Sequence, residues 1–294
     1  MRNPQAIISE EFASKISSDG LRKVTRHFLK EAGIRPSRRL GQNFAVSRDY
    51  LETLSSSASS QYNEILEIGT GIGFLTAFLI SRMRGFVISV EKDPRLFELA
   101  SKNVESSRVA LVLGDGIEIL RRTRIPLVIS STPFSLSVPI FLEIARNNSI
   151  RESVLGVQSE VAMRIAASPG DENYGRISVL SSLLFEREMK GTFSSNCFAP
   201  RPKVSVTVIR LVRKRDYDNV LHSILEKISG CLFSQRNKVA RKVVPFCMER
   251  LNLKIDVETG RSILREVENL RVREIAPWQM EELARAALMG AQRS

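Results

Sequence analysis

The sequence predicts an α/β fold, with a largely parallel sheet layered by helices over residues 36–212 and a small all-α domain over residues 213–294. Three observations predict it. Short β-rich runs alternate with helix-period runs from residue 63 to residue 134, the pattern of βαβ units. A glycine-rich turn, Gly69-Thr70-Gly71-Ile72-Gly73, joins the first strand to the first helix of that alternation. Beyond residue 212 the strand signal stops and helical periodicity takes over.

Each element has its own signal. Residues 1–35 read as an N-terminal helical extension, because Leu21, Val24, Phe28, Leu29 and Ala32 recur at helical spacing and Gly33 follows as a stop. A basic loop, "RPSRRLGQNF", comes next. The expected strands are "EILEI", "FVISV", "VALVL" and "LVIS", with helices at "FLTAFLISRM" and "PRLFELASKNV" between the first three. After the fourth strand come a helix, "VPIFLEIARN", and a fifth strand, "SVLGVQ". The runs "EREMKGTF" and "VSVTVIRL" flank "SSNCFAPRPK" closely enough to predict an antiparallel pair closing the sheet edge. In the last domain the helical patterns are Leu221, Ile224, Leu225 and Ile228, then Ile263, Leu264, Val267 and Leu270, then Leu283, Ala287 and Leu288.

Composition narrows the function classes. No apolar run approaches the ~18 residues of a membrane span, and the N-terminus lacks a signal-peptide stretch, so a cytoplasmic protein is expected. Forty-four Lys and Arg against thirty-two Asp and Glu leave a net charge of +12, which favours a polyanionic partner, nucleic acid first, over a charge kept only for solubility. Cys197, Cys231 and Cys247 have no CxxC spacing, and His27 and His222 are the only histidines, so no metal site is expected. The cysteines read as buried free thiols.

The chemistry begins at the glycine turn. Gly69, Gly71 and Gly73 follow a strand and precede a helix, where missing Cβ atoms let a ligand approach the backbone and the helix start presents free N–H groups. Glu91 ends the next strand twenty-two residues beyond Gly69, at the place where a carboxylate takes ribose hydroxyls. Asp115 ends the third strand and is placed to accept from an adenine amine.

A nicotinamide dehydrogenase would share that layout, and the fourth strand separates the two readings. It runs out into Ser131-Thr132-Pro133-Phe134. An exocyclic amine donates its lone pair into the base, so it attacks a sulfonium methyl poorly until acceptors pull its N–H bonds out of conjugation and hold it in line. The Ser131 side chain and a carbonyl beside Pro133 are the expected acceptors, and Phe134 is expected to stack on a splayed base. A methyltransferase with a sulfonium methyl donor is accordingly expected in place of a nicotinamide enzyme.

At this point the sequence resembles the ribosomal RNA adenine N6,N6-dimethyltransferases. The match is carried by Leu40-Gly41-Gln42-Asn43-Phe44, by Glu67 through Thr76, and by Val90-Glu91-Lys92-Asp93 and Gly114-Asp115. It continues through "VQSEVAMRI", "YGRISVL" and Phe198-x-Pro200-x-Pro202-Lys203-Val204, and more faintly "FSQRNKVARK". The resemblance implies a Rossmann-like methyltransferase sheet with a helical RNA-binding domain. It implies that Asn43 and Ala45 line the cofactor mouth, that Gly69, Glu91 and Asp115 hold S-adenosylmethionine, and that Phe134 and Phe198 sandwich the target adenine. Arg35, Arg38, Arg39, Arg236, Lys238, Arg241 and Lys242 are the expected RNA contacts, on small-subunit rRNA or its precursor particle. A monomer is expected, without membrane or metal. The chain also departs from the family: Ser131-Thr132-Pro133-Phe134 stands where members read Asn-Leu-Pro-Tyr, Ala45 where they read Leu, and Asn237 where they usually read Arg. The expected activity is dimethylation of adjacent adenines near the 3′ end of small-subunit rRNA, coupled to ribosome biogenesis. The alternative is a weakly active or inactive assembly factor of the same fold.

Overall fold

The computed structural model describes residues 8–37 and 41–292. In chain order it contains α1 (Glu10–Lys15), α2 (Ser18–Glu31), β1 (Phe44–Ala45), α3 (Arg48–Ser56), β2 (Glu64–Ile68), α4 (Phe74–Arg82) and β3 (Phe86–Glu91). There follow α5 (Pro94–Asn103), β4 (Val109–Leu113), α6 (Gly116–Arg122), β5 (Leu127–Ser131), α7 (Ser137–Arg146), β6 (Glu152–Gln158), α8 (Ser159–Ala166) and α9 (Arg176–Leu184). The chain continues as β7 (Phe185–Phe193), β8 (Phe198–Ala199), β9 (Val206–Arg213), α10 (Asn219–Phe233), α11 (Ala240–Arg250), α12 (Val257–Val267) and α13 (Pro277–Gln292).

Seven strands form one sheet in the order β4-β3-β2-β5-β6-β9-β7. The pairings from β4 to β6 are parallel, and β9 runs antiparallel to β6 from Glu152↔Val212 to Gln158↔Val206. The expected closing pair therefore sits with β9 inside and β7 outermost. β2 and β5 are central, so Ile65, Leu66, Leu127, Val128 and Ile129 are all fully buried, which is why these strands read as continuous apolar runs. Strand order reverses between β2 and β5, and in open α/β sheets a crevice opens beyond the carboxyl ends at such a switch point. Asp93 and Asp115 cap α5 and α6 by accepting from Arg95 and Ile117 N–H groups, which stops β3 and β4 at that same edge.

Two compact units result, one running to Ala162 and taking in Glu188–Val212, the other made of Met163–Arg187 with Arg213 onward. The sequence division at residues 36–212 differs in two places. Residues 163–187 go with the helical unit, because Tyr174 and Val179 pack into one apolar cluster with Leu221, Leu225 and Ile228 of α10. Nor do residues 8–35 form a separate extension. Ile8 is fully buried and bridges Val104, Phe12 stacks on Phe74 with centroids 5.7 Å apart, and Arg108 donates to Glu10 at 2.6 Å.

The thiols also require correction: Cys231 and Cys247 form a disulfide across α10 and α11, with Cα atoms 5.8 Å apart, and Cys197 alone is free. A spacing of sixteen residues places the two on facing helices, a juxtaposition no local pattern announces.

Candidate active site

A cavity of about 260 Å³ opens in the first unit at the carboxyl ends of β2, β3, β4 and β5. The glycine turn forms its floor. Gly69 and Gly71 have φ values of 88° and 57°, in the left-handed region that side chains with a Cβ avoid. A Cβ on Gly69 would meet no atom within 4 Å, so its absence leaves open cavity beside the backbone. Gly69 N–H donates to the Val90 carbonyl at 2.8 Å and Gly71 N–H to Glu91 Oε2 at 2.8 Å, tying the turn to the end of β3.

Glu91 is buried and held on both oxygens, since its Oε1 accepts from the N–H groups of Lys92 and Asp93 at 2.9 and 2.8 Å. Burial raises its pKa above the ordinary carboxylate value, against the lowering by those three backbone donors. Asp115 is half-buried, and besides capping α6 it accepts from Lys92 Nζ at 2.6 Å, which lowers its pKa. Behind the turn, Glu67 is fully buried and accepts from Thr76 Oγ1 at 2.6 Å. Burial pushes its pKa up to about 7.

The loop before α3 closes the other side. Gln42 donates to Asp93 Oδ2 at 2.9 Å and accepts from Ser37 N–H at 2.7 Å, while Asn43 and Ala45 line the cavity. β1 pairs with β8, so Phe44 and Ala45 are anchored by Ala199 and Phe198. Gly41, at φ 65°, lies against the Pro133-Phe134 turn so closely that a Cβ would stand 3.2 Å from Phe134 N and from Pro133 Cβ. Ser131 and Pro133 line the cavity at the end of β5, and Ser131 Oγ lies 2.9 Å from the Tyr50 hydroxyl.

The expected site residues Asn43, Ala45, Gly69, Gly71, Glu91, Asp115, Ser131 and Pro133 are thus brought to one cavity. Others are not. A Cβ on Gly73 would stand 2.5 Å from Val104 Cγ2, so that glycine makes room for Val104, which Ile8 bridges, and does not line the cavity. Phe198 is 3% exposed, with its ring edge-on to Tyr50 at 4.8 Å, and does not line the cavity. Phe134 is half-buried and packs on the core beside the cavity. Arg38 and Arg39 lie outside the described residues, and Arg35 is exposed in the first unit. Arg236 and Lys238 belong to the second unit, where Arg236 donates to the Asp171 carbonyl and Lys238 is exposed. Sequence reasoning missed Tyr50, whose only signal is an aromatic with a polar tip among the apolar positions of "RDYLETL".

A glycine turn after the first strand, an acid ending each of the next two, and this sheet order define a methyltransferase of the S-adenosylmethionine type. The open space at Gly69 and the tethered carboxylate of Glu91 suit that cofactor. More particularly, the profile of the family described as ribosomal RNA adenine dimethylase matches residues 35–277, and the chain belongs to that family. It is an S-adenosylmethionine-dependent rRNA adenine dimethyltransferase. A relative from Aeropyrum pernix, named probable ribosomal RNA small subunit methyltransferase A, is 40% identical over 219 residues, 72% of this chain and 77% of its own. A relative of the same name from Methanopyrus kandleri is 33% identical over 86% of this chain and 93% of its own. Among solved structures, a dimethyladenosine transferase from Plasmodium falciparum has a TM-score of 0.66 at 19% identity, covering 80% of this chain and 94% of that one. The 23S rRNA methyltransferase ErmE has a TM-score of 0.60 at 23% identity, covering 83% and 99%. Both share the fold. Among the described residues no cluster of His, Cys, Asp and Glu suits a metal, and no helix is long and apolar enough to cross a membrane.

Proposed function

We propose that the enzyme dimethylates N6 of adjacent adenines near the 3′ end of small-subunit rRNA, during ribosome biogenesis, as a monomer in the cytoplasm. The observation that carries the reading is the placement of Ser131 and Pro133, at the end of β5, on the same cavity as Glu91 and Asp115. The relatives named small subunit methyltransferase A support the choice of subunit.

Bound S-adenosylmethionine supplies an electrophilic methyl group. Glu91, held by three backbone N–H groups, would accept from the ribose hydroxyls without having to reorganise. Asp115 would hold the cofactor's adenine by accepting from its amine, and the open space beside Gly69 would leave room for the cofactor against the backbone. Ser131 Oγ and a carbonyl beside Pro133 accept the two N–H bonds of the target amine and turn its lone pair toward the methyl. The half-buried ring of Phe134 is the stacking surface assigned to the base, and Arg236 and Lys238 are assigned to phosphates.

Incubation of undermethylated small subunits with labelled S-adenosylmethionine, followed by nucleoside analysis, tests the reading. Ser131→Ala should slow methylation ten- to a thousandfold, about the loss seen when one oriented polar group is removed, with cofactor affinity little changed. Ser131→Asn should match or exceed wild type. Equal, negligible turnover in all three, with subunit binding intact, would instead identify an assembly factor.

A further inference from the structure

A serine is a loose replacement for a carboxamide. Its Oγ moves among three rotamers and its proton rotates freely, so much of the time no lone pair faces the substrate. The structure supplies a remedy from α3. Building on the reading of Ser131 as acceptor, we propose that Tyr50 is a positioning residue, whose buried hydroxyl fixes Ser131 Oγ and leaves a lone pair directed at the cavity.

The geometry carries this. Tyr50 is fully buried, yet it ends in a hydroxyl, a group that is costly to bury unless it is bonded. Its oxygen lies 2.9 Å from Ser131 Oγ. A phenol is the stronger acid and an alkyl hydroxyl the better base, so the Tyr50 O–H donates and the serine oxygen accepts. Burial holds the phenol well above its ordinary pKa, so it keeps that proton. The ring cannot drift, because Phe193 and Phe198 stand edge-on to it at 5.2 and 4.8 Å. Room for the hydroxyl is made on β6, whose Gly156 is the partner of Ser131 in the sheet. A Cβ there would stand 1.9 Å from the Tyr50 oxygen. Phe198 is thereby assigned to the packing that holds Tyr50.

A cycle of Tyr50→Phe, Ser131→Ala and the double variant decides the matter, assayed by methylation of undermethylated small subunits, with cofactor affinity by calorimetry and melting curves as controls. Tyr50→Phe removes one oxygen and keeps the ring between Phe193 and Phe198. It should lower kcat about tenfold, the scale of one neutral hydrogen bond, with KM and cofactor affinity unchanged. In the Ser131→Ala background the same change should have no further effect. Wild-type kcat in Tyr50→Phe beside a slow Ser131→Ala overturns the role of Tyr50 and leaves Ser131 as acceptor. Effects that multiply in the double variant also overturn it, since Tyr50 would then act on the fold and not through Ser131. If neither single variant is slow, the assignment of Ser131 itself falls, and Tyr50 with it.

Discussion

Replacing Glu91 with Gln tests the cofactor site at a single atom. The carboxylate accepts from three backbone N–H groups, Lys92 and Asp93 on Oε1 and Gly71 on Oε2. A carboxamide keeps one acceptor oxygen. With that oxygen on Lys92 and Asp93, the new NH2 meets the Gly71 N–H donor to donor, and the glycine turn loses its tether to β3. The ribose hydroxyls lose a charged acceptor at the same time. A hydrogen bond to a charged group contributes ~1.5–3 kcal/mol, so the dissociation constant for S-adenosylmethionine should rise about ten- to a hundredfold. Calorimetry near neutral pH measures it. Because burial raises the Glu91 pKa, wild-type affinity should fall as pH drops through a value above that of an ordinary glutamate, while the variant stays flat. Affinity within about twofold of wild type, with the same melting temperature, would refute the assignment of the ribose to Glu91.

Two further outcomes are expected. Glu67 titrates at about 7 when folded and near 4.5 when unfolded, so the folded chain binds the extra proton between those values and stability falls as pH rises through them, by on the order of 3 kcal/mol. Glu67→Gln should flatten that fall in denaturant titrations; a slope like wild type would place the titration elsewhere. Neutralising the exposed Lys238, Arg241 and Lys242 should weaken binding to small subunits and reduce the slope of log affinity against log salt by about one for each phosphate that is no longer neutralised. An unchanged slope in a filter-binding series would make them a solvated face.

The features legible in the chain before it folds are local or short in range. Parallel strands buried on both faces read as apolar runs, and the glycine turn with acids at successive strand ends reads as a nucleotide-type pocket, because one crossover separates each from the next. Glu91 and Asp115 were legible for that reason. Whatever depends on long-range pairing became visible only in three dimensions. Gly73 resembles its two neighbours in the turn, yet it serves the packing of Ile8 and Val104. Phe198 sits in a matching motif, but antiparallel pairing of β8 with β1 buries its ring against Tyr50. Cys231 and Cys247 read as separate thiols until α10 and α11 face each other. Tyr50 and Ser131 stand eighty-one residues apart, and their hydrogen bond exists because α3 packs over the end of β5 beside a strand position with no Cβ. Periodicity reports which face of an element is buried; which residue waits on the other side is decided when the chain closes on itself.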